Sequence, residues 1–293
     1  MSAQVGFIGL GAMGAPMAER LLDRGRSLIV HNRTRTRAAG FDGAGVVVAD
    51  SPAEVASSGA TVLSCLRDTG AVEAVYLGDR GVLRAVSAGQ VLVELGTFSP
   101  DLARRIAQDA ADAGAAFLAA PVSGGPPRAR AGTLVMMAGG DAGAFQRVRQ
   151  VLEDLGQTVE HVGDAGAGLE LKLVNQLLTG THMAVAAEAV AALNALDIDL
   201  GLAERLLDQG WGQSAMLARA LAVARQEAPE ARGTGVTVVG MSEVLELVAR
   251  LLRACGVSAE VFDAGRRALL DAGRLGYGDH DPAGLFHVKE VHR

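Results

Sequence analysis

The chain is poor in lysine: it has two, Lys172 and Lys289, against 25 arginines in 293 residues. Arginine fills nearly every ordinary cation position, so a lysine inside an apolar stretch is an unusual choice, because an ammonium and a guanidinium do different work. Aromatics are equally scarce, at 3%, which leaves Ala, Val and Leu to build the core. The two cysteines, Cys65 and Cys255, lie far apart and form no CxxC or metal-ligand spacing. They are expected as small core residues of a protein in a reducing cytosol, and no metal site is expected. The net charge of −6 excludes the basic footprint of a nucleic-acid binder. The most apolar long segment, Leu169 to Leu200, is broken by Lys172, Asn175, Gln176, His182, Glu188 and Asn194. A membrane span of about 20 residues tolerates few such groups, so a buried helix of a protein without membrane contact is the better reading. No basic run precedes an apolar stretch at the N-terminus; no signal peptide, and hence a cytoplasmic location, is expected.

What is present is ample apolar material, 49% of the residues, in a chain long enough for two domains. The first half alternates short β-rich runs with Ala-rich helical stretches. Candidate strands are Gln4–Ile8, Ser27–His31, Val46–Ala49, Thr61–Leu66, Gln90–Leu95, Ala116–Val122, Thr133–Ala138 and Thr158–Val162. Several are apolar throughout, as strands are when helices cover both faces of a sheet. The alternation predicts an α/β fold, a Rossmann-type doubly wound parallel sheet. After Asp164 the β signal fades, and Asp164-Ala-Gly-Ala-Gly168 is a glycine-rich joint. Helices are predicted over 167–196, 201–208, 212–227, 240–255 and 258–274, with a loop at Glu227–Gly235. The domains expected are a dinucleotide-binding domain at 1–164 and an all-α domain at 165–293, opened by a long interdomain helix.

Val5-Gly-Phe-Ile-Gly9-Leu10-Gly11-Ala12-Met13-Gly14 fits G-x-G-x-x-G at the end of a strand, and a helix follows through Leu22. Gly9 permits the tight turn, Gly11 lets the backbone approach a pyrophosphate, and Gly14 lets helix and strand pack closely. The helix N-terminus then offers free N–H groups to the phosphates. The second strand ends His31-Asn32-Arg33-Thr34, with Arg35 and Arg37 beyond. A carboxylate here would hold an NAD ribose and repel a 2′-phosphate, whereas a guanidinium can clamp one. NADP(H) is therefore expected in preference to NAD(H), with Arg33 the cation. Arg35 and Arg37 fit a solvated loop well.

Further motifs follow in order: Met17-Ala18, Cys65-Leu66-Arg67-Asp68, Pro121-Val-Ser123-Gly124-Gly125, Gly132-Thr133-Leu134 and Gly166-x-Gly168-x-x-x-Lys172-x-x-Asn175. Together with the glycine turn they resemble the β-hydroxyacid dehydrogenase family, which includes 3-hydroxyisobutyrate dehydrogenases and tartronate-semialdehyde, glyoxylate and succinic-semialdehyde reductases. The resemblance is strongest up to about residue 176. It implies that Cys65 and Leu66 pass near the cofactor, that Ser123, Gly124 and Gly125 bind the substrate, and that Lys172 and Asn175 are catalytic and touch substrate. It also implies a homodimer or tetramer assembled through the helical domain.

These pieces make chemical sense. Ser123-Gly124-Gly125 offers a hydroxyl and unobstructed backbone N–H groups that can hold a carboxylate, although an ordinary turn after a strand reads the same way. Thr97 ends a strand on the side where open α/β sheets bind ligands, within reach of a nicotinamide ribose or the substrate. Lys172 and Asn175 share a helix face. A buried ammonium has a lowered pKa and can give a proton to a carbonyl as hydride arrives, or take it back in the reverse direction. Asn175 would orient Lys172 or bond the substrate. The bland alternative is a lysine snorkelling to water. His182 reads as a core or surface polar group, and Trp211 and Tyr277 as pocket or interface aromatics. The stripe Val244-x-x-Leu247-Val248-x-x-Leu251-Leu252 fits either core or subunit interface.

Departures from the family cluster on the substrate side. Its Asp-Ser-Thr corresponds to Glu94, Gly96 and Thr97; Ala120 replaces an Asp; Arg128 replaces a small residue; Gln176 replaces a second Asn; and Glu243-Val244 replaces a late Lys-Asp pair. The expected function is NADP-dependent hydride transfer to or from a small hydroxyacid, aldehyde or keto acid bearing a carboxylate, shifted away from the simplest hydroxyacids. Arg128 is a candidate for holding a second acidic group. An imine reductase-like enzyme and a non-catalytic NADP-binding scaffold or sensor are the alternatives.

Overall fold

The computed structural model describes residues 4–41, 43, 45–59, 61–225 and 236–290. The expected loop at Glu227–Gly235 lies outside them. The chain divides into two compact units, residues 1–172 and 173–293.

In the first unit, strands and helices alternate: β1 (Val5–Ile8), α1 (Gly14–Asp23), β2 (Leu28–His31), α2 (Arg35–Ala38), β3 (Val46–Val48), α3 (Pro52–Ser57), β4 (Thr61–Ser64), α4 (Thr69–Leu77), β5 (Val91–Glu94), α5 (Pro100–Asp112) and β6 (Ala116–Ala119). These six strands pair in parallel in the order β3-β2-β1-β4-β5-β6. Short polar caps start the helices: Ser51, Asp68 and Ser99 each accept the N–H three residues on, which satisfies a donor the helix leaves orphaned. Both sheet faces are buried. Val5, Phe7, Leu63 and Val93 face one core, and Ile8, Val62 and Leu92 the other. This is why the strands read as unbroken apolar runs.

The doubly wound sheet is parallel except at one strand. The strand predicted at Ala116–Val122 breaks at Pro121, which has no N–H to donate to a ladder, and resumes as β7 (Val122–Ser123). A seven-residue helix, α6 (Gly125–Ala131), then turns the chain back without carrying it to the opposite edge. The next strand, β8 (Leu134–Gly140), therefore runs antiparallel to both β6 and β7. Helix α7 (Ala142–Glu153) supplies a full crossover, so β9 (Gly156–Gly163) is again parallel to β8.

Helix α8 (Ala167–Ala195) begins in the first unit and continues into the second. The second unit adds α9 (Leu200–Leu207), α10 (Ala215–Ala224), α11 (Val238–Ala254), α12 (Glu260–Ala272) and α13 (Phe286–Glu290). A π turn at Gly273–Tyr277 and a 3-10 turn at Pro282–Gly284 precede α13; these pieces are too short to show a helical period. The stripe on α11 is core: Leu245, Val248 and Ala249 are buried with Met241, Phe262 and Leu269, and Val244, Leu247, Leu251 and Leu252 pack against them. Tyr277 packs there too, whereas Trp211 is fully exposed. Cys65 is half-buried, but Cys255 is exposed at the end of α11, not in a core as expected. Among the described residues no helix is long and apolar enough to cross a membrane.

The buried Asp154 joins the ends of two helices in the first unit. Its carboxylate accepts from Arg24 (3.1 Å) and Arg26 (2.8 Å), and its backbone carbonyl from Arg20 Nε (3.1 Å). Asp154→Ala would leave the largely buried Arg26 uncompensated and is expected to cost roughly 2–4 kcal/mol, read as a lower midpoint in urea denaturation.

Candidate active site

The motif residues of the first unit gather along one edge of its sheet, because each follows the carboxyl end of a neighbouring strand. At the end of β1, Gly9 has φ +95°, and a Cβ there would lie 2.4 Å from the Cys65 carbonyl oxygen. A Cβ on Gly14 would lie 1.8 Å from the Gly9 carbonyl oxygen and 3.3 Å from the Phe7 ring. Only glycine satisfies both positions. At Gly11, by contrast, the nearest atom to a Cβ is Arg37 Nη1 at 3.9 Å, which leaves the space over the turn open. No side chain caps α1 and no acid lies in its first turn, so its positive end is unopposed. Leu10 is buried, Ala12 exposed, and Met13 packs against the core. The cradle fits a dinucleotide pyrophosphate.

Asn32 braces this turn from the end of β2. Its Oδ1 accepts the Leu10 N–H (2.9 Å), and its Nδ2 donates to the Thr34 carbonyl (2.9 Å). It therefore does the bracing without the negative charge of an aspartate. The arginines beyond it divide. Arg35 is paired with Asp50, while Arg33, beside the exposed Thr34, has no ion pair or hydrogen bond among the described residues. Arg37, expected as a solvated loop residue, places its guanidinium at the glycine turn. Its place in the alternating run Arg33-Thr34-Arg35-Thr36-Arg37 was the available signal.

Cys65-Leu66 follows β4 and Gly96-Thr97 follows β5, and a single buried carboxylate lies between them. Glu94 Oε1 accepts from the N–H groups of Leu66 (3.0 Å) and Gly96 (2.7 Å), and Oε2 bonds the Ser64 hydroxyl. Ser64 Oγ also lies 2.7 Å from the Tyr76 hydroxyl. Burial raises the Glu94 carboxyl above its usual value, and its three hydrogen-bond donors oppose that rise. Burial of the Cys65 thiol and the nearby Glu94 carboxylate hold that thiol protonated, which removes it as a nucleophile. Ser64 and Tyr76 were not singled out in the sequence. The available signal was a polar residue, Ser64 or Glu94, ending an otherwise apolar strand.

Ser123 is half-buried, and Gly124 (φ +139°) and Gly125 (φ +72°) turn the chain into α6. The Arg128 side chain folds back along this turn, its Cδ 2.7 Å from where a Gly124 Cβ would be. Arg128 is exposed and has no acidic partner among the described residues.

Gly168 seats the start of α8 on the sheet. A Cβ there would lie 2.1 Å from the Met137 carbonyl oxygen and 3.0 Å from that of Ala119, the last residue of β6. Arg104 secures the same end of the helix through Glu170 (2.6 Å) and Asp164 (3.3 Å). One turn further on, Lys172 is buried, with 6% exposure. Burial alone lowers it from 10.5 to about 8, and no hydrogen bond or ion pair holds its ammonium among the described residues. Asn175 does not bond Lys172. Its Nδ2 donates to Gln176 Oε1 (3.1 Å) and Thr179 Oγ1 (3.5 Å) on the same helix, so Gln176 has a partner in Asn175. In the second unit, Glu243 is exposed and Val244 packs against the core.

Residues 4–163 match the family model described as the NAD binding domain of 6-phosphogluconate dehydrogenase. Residues 166–288 match that described as NAD-binding of NADP-dependent 3-hydroxyisobutyrate dehydrogenase. The chain is 38% identical to 2-(hydroxymethyl)glutarate dehydrogenase of Eubacterium barkeri, over 73% of this chain and 69% of the other. It is 40% identical to 3-hydroxyisobutyrate dehydrogenase of Pseudomonas aeruginosa, over 72% and 69%. Among solved structures, Psf3 in complex with NADP+ and 2-OPP superposes with a TM-score of 0.89 at 28% identity, covering 97% of this chain and 99% of that one.

Lys172 carries a stability cost. Below pH 8 the fold must bury a charged ammonium, and the cost shrinks as pH rises from about 8 towards 10.5, where the unfolded chain loses its proton too. Lys172→Met keeps the shape without the charge and is expected to be the more stable protein at pH 7, by up to roughly 3 kcal/mol. Thermal melts of the two proteins should converge as the pH is raised above 8.

Proposed function

We propose, for a chain that belongs to the β-hydroxyacid dehydrogenase family and is an NAD(P)-dependent oxidoreductase acting on CH–OH groups, that it works with NADP(H) on a small hydroxyacid, or the matching aldehyde or keto acid, and that Lys172 moves the proton. The observation that carries this reading is a buried ammonium with no partner among the described residues, its pKa lowered to about 8, one turn beyond the point where α8 docks on the strand leading into Ser123-Gly124-Gly125. The coenzyme, held at Gly9–Gly14, supplies or accepts the hydride. Lys172 Nζ gives a proton to the substrate oxygen during reduction and removes it during oxidation, and a pKa close to the working pH serves both directions. Asn175 and Ser123 are assigned to substrate contact, and Gly124 and Gly125 to the substrate carboxylate. Thr97, Cys65 and Leu66 are assigned to the nicotinamide side.

The NADP preference rests on two guanidiniums without an acidic partner among the described residues, Arg33 and Arg37, beyond a β2 end that carries Asn32 rather than an acid. The substrate class rests on Arg128, a cation beside the Ser123–Gly125 turn without an acidic partner among the described residues. A second acidic group on the substrate would supply one, in keeping with the likeness to an enzyme named 2-(hydroxymethyl)glutarate dehydrogenase. A homo-oligomer formed through the helical unit would cover side chains such as Leu202, Leu206 and Trp211, which are exposed in the single chain; light scattering reads this directly.

Lys172→Ala is expected to lower turnover by about 10²–10⁴-fold while NADPH titration shows binding retained. A wild type with no turnover on any hydroxyacid or semialdehyde would point to a binding scaffold instead. For wild type, the rate of reduction should fall as pH rises through about 8, where the ammonium is lost, and the rate of oxidation should rise over the same interval. Arg33→Ala and Arg37→Ala should raise KM for NADPH and leave KM for NADH unchanged; an NADPH advantage that survives both changes overturns the preference. Arg128→Ala should raise KM for dicarboxylic substrates only, and full wild-type activity on 3-hydroxyisobutyrate or succinic semialdehyde would overturn the substrate shift.

A further inference from the structure

Glu94 is the last residue of β5 and is completely buried. A buried carboxylate is costly unless its oxygens are bonded, and here each is. One oxygen takes two backbone N–H groups from two different loops, those of Leu66 and Gly96. The other takes the Ser64 hydroxyl, which in turn meets Tyr76. Ser64, Cys65 and Tyr76 are the polar or titratable side chains recorded around it, and no cation is among them. Tyr76 is itself fixed edge-on to Phe117, ring centres 5.3 Å apart at 86°. The hydrogen-bond pattern closes in either protonation state. Ionised Glu94 accepts from Ser64. Protonated Glu94 donates to Ser64, whose hydroxyl can then turn to the Val93 carbonyl at 3.3 Å.

Gly96 is required by space rather than by conformation, since its φ does not lie in the left-handed region. A Cβ there would lie 2.6 Å from Glu94 Oε1 and 2.5 Å from the Leu66 carbonyl oxygen. Both distances are too short for any side chain. The carboxylate that grips the Gly96 N–H and the Leu66 carbonyl together occupy the place a side chain at position 96 would need, and the same carboxylate oxygen holds the Leu66 backbone there.

We propose that Glu94 and Gly96 are a matched pair, in which Glu94 is a positioning residue that clamps the loops after β4 and β5 together and Gly96 is its steric complement. This rests on reading those loops, through Leu66 and Thr97, as the nicotinamide side of the site. The clamp acts through Leu66 and Thr97 and itself touches neither coenzyme nor substrate. The side chain at 94 and the bare position at 96 belong to one arrangement, in which the oxygen that holds the Leu66 and Gly96 N–H groups also closes the space over Gly96.

The test is a double-mutant cycle of Glu94→Asp and Gly96→Ser, read by the NADPH dissociation constant from fluorescence titration and by kcat and KM for the hydroxyacid. Each single change is expected to weaken NADPH binding by about tenfold or more, and the double change to do no more harm than the worse single one, because releasing the clamp also frees the Leu66 backbone that blocks position 96. Losses that simply multiply, or a Gly96→Ser protein that binds like wild type, overturn the proposal. Should Gly96→Ser fail to fold, Gly96→Ala takes its place in the same cycle. Glu94→Gln, which keeps an acceptor oxygen for both N–H groups, should retain more binding and more kcat than Glu94→Met; equal loss in the two also overturns the clamp. Because coenzyme binding needs no turnover, the cycle reports on the pair even if the hydroxyacid chemistry is wrong, and a wild type inactive on every hydroxyacid would overturn that chemistry alone.

Discussion

Backbone atoms at the carboxyl edge of the parallel sheet approach one another more closely than any side chain allows, and the site is built on that approach. Gly14 meets the Gly9 carbonyl, Gly9 meets the Cys65 carbonyl, Gly96 meets the Leu66 carbonyl, and Gly168 meets those of Met137 and Ala119. Each contact brings a loop or a helix start close against the sheet. The sheet can support this because both its faces are closed by apolar cores, which hold the strand ends in register.

Glu94 and Lys172 are both buried in this unit, with opposite solutions. Glu94 has a bonding partner for every oxygen, so its burial serves architecture and holds two loops in place. Lys172 has none among the described residues, and burial lowers its pKa to about 8. An unpaired buried cation is a liability in a structural role and an asset in proton transfer. The same contrast separates the arginines: Arg24, Arg26, Arg35 and Arg104 are paired with carboxylates, while Arg33, Arg37 and Arg128 are left available for an anion.

Several departures from the family pattern acquire a physical account. The exchange at position 94 and the loss of a side chain at 96 are linked by one oxygen atom. Gln176 is the acceptor for Asn175. Arg128 lies along the turn it follows. Nothing in the structure explains Ala120, or Glu243 and Val244.

The sequence by itself determined the fold class and the address of each motif. A buried parallel strand must be apolar throughout, a glycine turn must precede an uncapped helix, and a lysine in an arginine-using chain stands out; these are local constraints written into consecutive residues. Tertiary structure decided what depends on distance between segments. The direction of β8 follows from how Pro121 and a short α6 return the chain, not from any strand's composition. The three arginines beyond β2 look alike in sequence, yet an acid 15 residues away, Asp50, pairs with Arg35, and the fold brings the Arg37 guanidinium to the glycine turn. Cys255, expected in a core, is exposed because the face of α11 that packs inward ends before it. The pairing of Glu94 with Leu66, across two strands, is likewise a property of the assembled sheet, since a carboxylate finds its donors only where the fold brings their backbones together.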